Sequence, residues 1–161
     1  MDPDEFANLV AAHGPALTLF ARQWCGTPED VVQTAFLKLA RLRAPPGKPV
    51  PWLYAVVRNA ARDAARSARR RSKYETRVAE HAETWFLPAD DPAGLDARLA
   101  ATVLAGLPDE LREIIVMHMW GGLTFEQIAG VQGSSASTVF RRYSTGLARL
   151  RELMGAKCRT E

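Results

Sequence analysis

At 161 residues the chain has room for one domain or for two small ones of about 70 residues each, and an apolar content of 47% is enough to build their cores. No apolar run reaches the roughly 18 residues of a membrane span, and the acidic start Met1-Asp2-Pro3-Asp4-Glu5 is unlike a secretion signal; Cys25 and Cys158, far apart and without a CxxC or His cluster nearby, read as free thiols in a reducing cytosol. The net charge of +3 is segregated: residues 58–73 carry seven bases and one acid, residues 74–113 nine acids and three bases, and residues 114–161 six bases and three acids, so two basic patches flank an acidic stretch and suggest two contacts with a polyanion.

Helical periodicity runs through almost the whole chain, and no strand-like alternation lasts. The first helix is expected from about Pro3 to Trp24, with Phe6, Leu9, Val10, Leu17 and Phe20 as its apolar face and a kink or break at Gly14-Pro15. The second starts at a capping Thr27, with Pro28 in the first helical position, and runs to about Arg43. Pro45, Pro46, Gly47 and Pro49 then force a loop, and a third helix is expected from about Pro51 to Arg71. Residues 74–95 lose the pattern and read as a flexible linker, with the apolar trio Trp85-Phe86-Leu87 inside it. A second helical set follows at about 96–106, 109–120, 124–131 and 135–153.

Helical geometry divides these segments into faces. On the second helix Val32, Ala35, Phe36 and Leu39 share a core face, which leaves Asp30, Gln33, Thr34 and the apolar Leu37 on the opposite side. That combination fits either a stray surface leucine or a protein-binding face with an apolar centre and a polar rim. On the third helix Leu53, Val56, Val57, Ala60 and Ala64 form a narrow apolar side, and Arg58, Arg62, Arg66, Arg69 and Lys73 recur along the other. Like charges one turn apart repel, so the stripe calls for an anion; a phosphate backbone supplies one. Asn59 and Asp63 flank the stripe, and Trp52 and Tyr54 stand at its start, where an aromatic either stacks on unpaired bases or packs into the core.

The C-terminal half carries a helix-turn-helix pattern. Thr124 and Gln127 have the spacing of a capping box, Ala129 is small where a second helix must approach, and Gly133 occupies the turn. Ser134 or Ser135 caps the next helix, on which Val139, Tyr143, Gly146, Leu147 and Leu150 cluster. Ser137, Thr138, Arg141, Ser144 and Ala148 point away, with Arg142 and Arg149 at the margin. Small hydroxyls and arginine on an exposed helix suit entry into a major groove. The three histidines are scattered, His118 reads as structural, and no catalytic, metal or phosphate-loop pattern is present, so neither enzyme chemistry nor a cofactor is expected.

With these residues in view, Asp30-Val31-Val32-Gln33-Thr34-Ala35-Phe36-Leu37-Lys38-Leu39 resembles the DxxQxxFLxL segment of bacterial sigma factors. Residues 51–63, beginning Pro51-Trp52-Leu53 and carrying Arg58-Asn59, resemble their WLxxIARNxxxD segment. Leu107-Pro108-Asp109-Glu110, Leu123-Thr124-Phe125-Glu126-Gln127-Ile128-Ala129 and Ser137-Thr138-Val139-Phe140-Arg141-Arg142 resemble their C-terminal helix-turn-helix domain. Order and spacing resemble the short extracytoplasmic-function (ECF) subgroup, which has only regions 2 and 4. The resemblance implies an all-α fold of two small helical bundles: region 2 at 1–73, a linker at 74–95 and region 4 at 96–161. It also implies a transcription initiation factor that binds core RNA polymerase through the β′ clamp helices and the β flap, recognises −10 and −35 promoter elements and assists melting. An anti-sigma factor is a further candidate partner, and the cytoplasm is the expected location.

By position, the resemblance assigns Asp30, Gln33, Phe36 and Leu37 to polymerase, although Phe36 projects to the core side of its helix. It assigns Trp52, Arg58, Asn59, Arg62, Asp63 and Arg66 to the −10 element, and Ser135, Ser137, Thr138, Arg141, Arg142 and Ser144 to the −35 element. Gln132 and Ser134 stand where the family has apolar residues around the turn, and Ser137 replaces a usual glycine. Two other readings are a helix-turn-helix repressor, which needs a dimer seam that is absent from the pattern, and a protein-binding adaptor, against which the basic stripe argues. The expected working form has two separated modules; arginines of 58–73 packed on acids of 74–113, with Leu37 sealed in a single compact core, would fit this reading only as a resting form that opens in the presence of polymerase.

Overall fold

The computed structural model describes residues 2–72 and 103–157. The expected linker at 74–95, with Trp85-Phe86-Leu87, lies outside them. Six helices are ordered α1 (Pro3–Ala21), α2 (Pro28–Ala40), α3 (Pro49–Ser72), α4 (Asp109–Met119), α5 (Phe125–Gln132) and α6 (Ala136–Lys157) among the described residues. A further helical stretch, 103–105, ends just before α4. The class is all-α, as expected.

Local chemistry accounts for the helix ends. Pro3 opens α1, where its missing N–H is no loss, and Asp4 and Glu5 complement the helix dipole in the first turn. The expected break at Gly14-Pro15 does not occur: α1 continues as one helix through Pro15. The proline removes one hydrogen bond, but it lies on the exposed side, as does Ala11, whose carbonyl it frees. At α2, Thr27 holds the cap position and Pro28 the first turn, yet the threonine hydroxyl makes no capping bond. Glu29 and Asp30 stabilise that end instead, and Arg22 reaches back to Glu29 at 2.8 Å. Helix α3 begins at Pro49, two residues before the expected start, because prolines are tolerated throughout a first turn.

The first three helices enclose Leu17, Phe20, Val32, Ala35, Phe36, Leu39, Leu53 and Val57. Phe20 is central, with Trp24 and Tyr54 each meeting its ring edge-on at 5.0 Å. The buried arc of α3 differs from the expected one: Tyr54 and Ala61 are fully buried, whereas Val56, Ala60 and Ala64 are only partly so. Tyr54 is covered by Phe20 and lies beside Gly121, and α3 packs on α1 and α2 and also on α5.

The last three helices form the helix-turn-helix unit. Thr124 and Gln127 complete their capping box: Gln127 N–H donates to the Thr124 hydroxyl, and Thr124 N–H to the Gln127 side chain at 2.9 Å. Gly133 turns the chain at φ 67°, a left-handed conformation that a side chain would strain. Gly146 lets α6 approach α4 closely, because a Cβ there would stand 2.9 Å from Ile115 Cδ1.

The two bundles are in contact. The buried cluster that holds Phe20 and Tyr54 continues into Ile114, Met117, Leu123, Ile128 and Val139, with α1 packed on α4 and α3 on α5. Tyr54 lies so near Gly121 that a Cβ there would be 2.6 Å from the phenol oxygen. The chain is therefore closed along a seam between its halves, and the arginine stripe of α3 runs into that seam.

Candidate nucleic-acid interface

Helix α2 presents two faces, as its periodicity predicts. Val32, Ala35, Phe36 and Leu39 are buried; Asp30, Gln33, Thr34 and Lys38 are exposed, and among them Leu37 is 49% exposed. Phe36 does not join that surface. It is 6% exposed and meets Phe6 edge-on at 6.0 Å, so it supports the helix from behind. The exposed patch is Asp30, Gln33 and Leu37.

The α3 residues fall into two groups. Asn59, Asp63 and Arg66 are exposed, and Asp63 is ion-paired to Arg66 one turn on. Arg58 and Arg62 instead enter the seam. Arg58 Nε donates to Glu113 Oε1 at 2.7 Å, and Arg62 Nη2 reaches the same oxygen at 3.2 Å. The guanidinium of Arg62 also lies 5.5 Å from the centre of the Trp24 ring, a cation–π contact. Glu113, on α4, has no solvent exposure, and its second oxygen accepts from Gln132 Nε2 at 2.7 Å. Trp52 is half-buried in a cleft of about 540 Å³ whose far wall is α5, through Thr124, Gln127, Gly130 and Val131.

Beside Glu113, Arg112 is also buried. It donates to Asp109 at 2.6 Å, to the Ala105 carbonyl at 3.1 Å and, across the seam, to Gln23 at 3.3 Å. Burial pulls the guanidinium pKa below its ordinary value, and the charges of Asp109 and Glu113 oppose that shift.

Helix α6 carries an exposed polar face. Ser137, Arg141 and Ser144 are exposed, and Thr138 is half-buried. Ser135, rather than Ser134, caps the helix by accepting from Thr138 N–H at 3.2 Å. The hydroxyls of Ser137 and Thr138 share hydrogen bonds with Ser135, at 3.0 and 2.9 Å. Arg142 is tied to Glu110 of α4 at 3.1 Å, which steadies the angle between the two helices. Gln132 and Ser134 do not prevent the turn from closing: Ser134 N–H bonds to Ala129 O at 3.0 Å, and Gln132 turns to Glu113. His118 is structural, its Nδ1 at 2.8 Å from Leu123 O and its ring stacked on Phe125. Among the described residues no group of His, Cys, Asp and Glu is placed to hold a metal ion, and no helix is long and apolar enough to cross a membrane.

Two features were missed in the sequence. Phe140 is 56% exposed next to Arg141 and touches Phe125 edge-on at 5.5 Å; its helical position, between those of Ser137 and Ser144, is the signal that was available. Glu113 reads in the sequence as an ordinary charged helix residue, and only its place at the edge of the apolar run Ile114–Met117 hints otherwise.

Residues 9–71 match the Sigma-70 region 2 family, and residues 97–150 match Sigma-70, region 4. RNA polymerase sigma factor CarQ of Myxococcus xanthus is 32% identical over 94% of this chain and 90% of its own length. ECF RNA polymerase sigma factor EcfG of Rhodopseudomonas palustris is 27% identical over 94% and 86%. Among solved structures, the fold resembles the sigma factor RpoE of Bartonella quintana in complex with the anti-sigma factor NepR. That likeness has a TM-score of 0.76 at 23% identity, over 94% of this chain and 98% of that one. It also resembles CnrH in complex with the cytosolic domain of CnrY, with a TM-score of 0.66 at 27% identity, over 96% and 90%.

Proposed function

The chain belongs to the sigma-70 family, as a bacterial sigma factor of the extracytoplasmic-function type, and from that premise we propose how its residues divide the work. It is a transcription initiation factor that directs RNA polymerase to promoters, so its partners are the polymerase and promoter DNA. In the proposed division, residues 1–73 act as region 2, residues 74–95 as the linker and residues 96–161 as region 4.

Asp30, Gln33 and Leu37 form the contact with the β′ clamp helices. An exposed leucine ringed by polar side chains, on a helix whose other face is fixed in a core, supports this assignment. Trp52, Arg58, Asn59, Arg62, Asp63 and Arg66 serve the −10 element: the arginines hold the phosphate backbone, and the aromatic and amide groups receive unstacked bases as the duplex opens. Ser137, Thr138, Arg141 and Ser144 read the −35 element in the major groove, with Arg142 and Ser135 setting the helix in place. Region 4 also meets the β flap. Neither half needs high affinity alone, because tethering raises the effective concentration of the second contact. The factor positions and opens the template without making or breaking a covalent bond, and it works in the cytoplasm. Because the two solved relatives are bound to protein partners, an anti-sigma factor is proposed here as well.

The exposed Leu37 patch backed by a buried core carries the polymerase assignment. Gel filtration of the chain with core polymerase tests it: the wild type co-elutes, and Leu37→Asp does not. A stable dimer that ignores polymerase would return the reading to a helix-turn-helix repressor.

A further inference from the structure

We propose that Glu113 is a latch that holds the two halves closed by occupying Arg58 and Arg62, so that the free factor competes internally with nucleic acid for its own arginines. The inference rests on the reading of those arginines as nucleic-acid contacts. Its physical basis is the environment of one carboxylate. Glu113 has no solvent exposure, and its oxygens are taken up by Arg58 at 2.7 Å, Arg62 at 3.2 Å and Gln132 at 2.7 Å. Two of these partners belong to α3 and the third to α5, so the carboxylate joins the halves at the point where they meet. Buried in this way without those partners, the charge would be strongly disfavoured. In the closed form Arg58 is mostly covered and Arg62 about two-thirds so, and a DNA phosphate cannot reach the atoms that Glu113 holds.

Such a latch releases readily. Removing two opposite charges from water offsets most of their attraction, so a buried pair contributes little net stability compared with the open, hydrated form. A polyanion, or a polymerase that binds the open form better, then shifts the population by its difference in affinity between the two forms. While the chain is closed, apparent affinity falls in proportion to the fraction that is open. Glu113→Gln keeps the shape but removes the charge. It leaves Arg58 mostly covered and Arg62 about two-thirds covered with no anion, which penalises the closed form and not the open one.

The test compares full-length wild type, Glu113→Gln and Gln132→Ala, free in solution. Small-angle scattering reads the radius of gyration, and fluorescence anisotropy reads binding to a labelled single-stranded DNA of mixed sequence. Glu113→Gln is expected to expand the chain and to tighten DNA binding on the order of tenfold, as when about a tenth of the wild type is open. Gln132→Ala, which removes one of the three bonds, moves both readouts the same way by less. It also carries the test if circular dichroism finds that Glu113→Gln has lost helicity. Unchanged dimensions in a folded variant would overturn the latch. Expansion with no gain in DNA affinity would overturn the competition. If an Arg58→Ala, Arg62→Ala double variant then opened promoters normally with core polymerase, the fault would lie in the nucleic-acid reading of the arginines and not in the closure.

Discussion

Leu37 and Arg141 show what a single side chain does when its helix is already fixed from the other side. Leu37 adds little to stability because half of it faces water. Leu37→Asp should therefore weaken co-elution with polymerase while changing the unfolding free energy from urea denaturation by no more than about 0.5 kcal/mol, the usual range for a surface change. Phe36, its neighbour in sequence, behaves oppositely: Phe36→Ala empties the site against Phe6 and should cost about 3–5 kcal/mol, read from the same denaturation curves. Arg141 is exposed on α6, and Arg141→Ala should lower affinity for the upstream element by about 1–3 kcal/mol with relaxed preference at one base. A uniform loss across all sequences would make it a phosphate contact instead. The sequence indicated this residue-level pattern because helical period alone separates Leu37 from Phe36. It could not separate Arg58 from Arg66, since all four arginines of the stripe have equivalent spacing and only the packing of a distant helix distinguishes them.

Helices and their ends were legible where the signal is local. The Thr124–Gln127 box needs only a threonine, a three-residue step and an adjacent apolar run, and it forms as expected. Thr124→Ala should cost about 0.5–2 kcal/mol by urea denaturation and loosen the presentation of α6. Where several residues compete for one role, the local signal was ambiguous. Thr27 has the right position at α2 but makes no capping bond, because the first-turn acids satisfy that end. Pro15 is a helix breaker by propensity, but a long helix with a packed face tolerates one on its wet side. The buried arc of α3 is displaced from the expected one towards Tyr54 and Ala61, because Tyr54 packs on Phe20 and beside Gly121, contacts that the helix's own period does not reveal.

The relation between the halves belongs to the whole molecule. Glu113 meets Arg58 across 55 residues of sequence, so periodicity, capping and composition carry no trace of the pair. The charge blocks set acids and bases side by side in the sequence without indicating which ones pair. Near the same seam, a cavity of about 750 Å³ is lined by Arg22, Gln23, Trp24, Cys25 and Arg112 among others. Burial raises the Cys25 thiol above its ordinary pKa; a hydrogen bond with the Thr27 backbone offsets part of this, and the charge of Glu29 adds a lesser rise. A raised value means less thiolate at any given pH, so at pH 8 Cys25 should react with iodoacetamide more slowly than glutathione does, in a Cys158→Ser background. Any condition that parts the halves should speed that reaction.

The distance along the chain between Arg58 and its carboxylate also sets an order of events during synthesis. The arginines are made first, and for the time needed to add the next 55 residues Arg58 has no Glu113 to meet. A nascent chain halted before Glu113 should be cut by trypsin after Arg58 and Arg62 faster than the finished protein. Until Glu113 is made, the chain lacks the carboxylate that covers Arg58 and Arg62 in the folded protein.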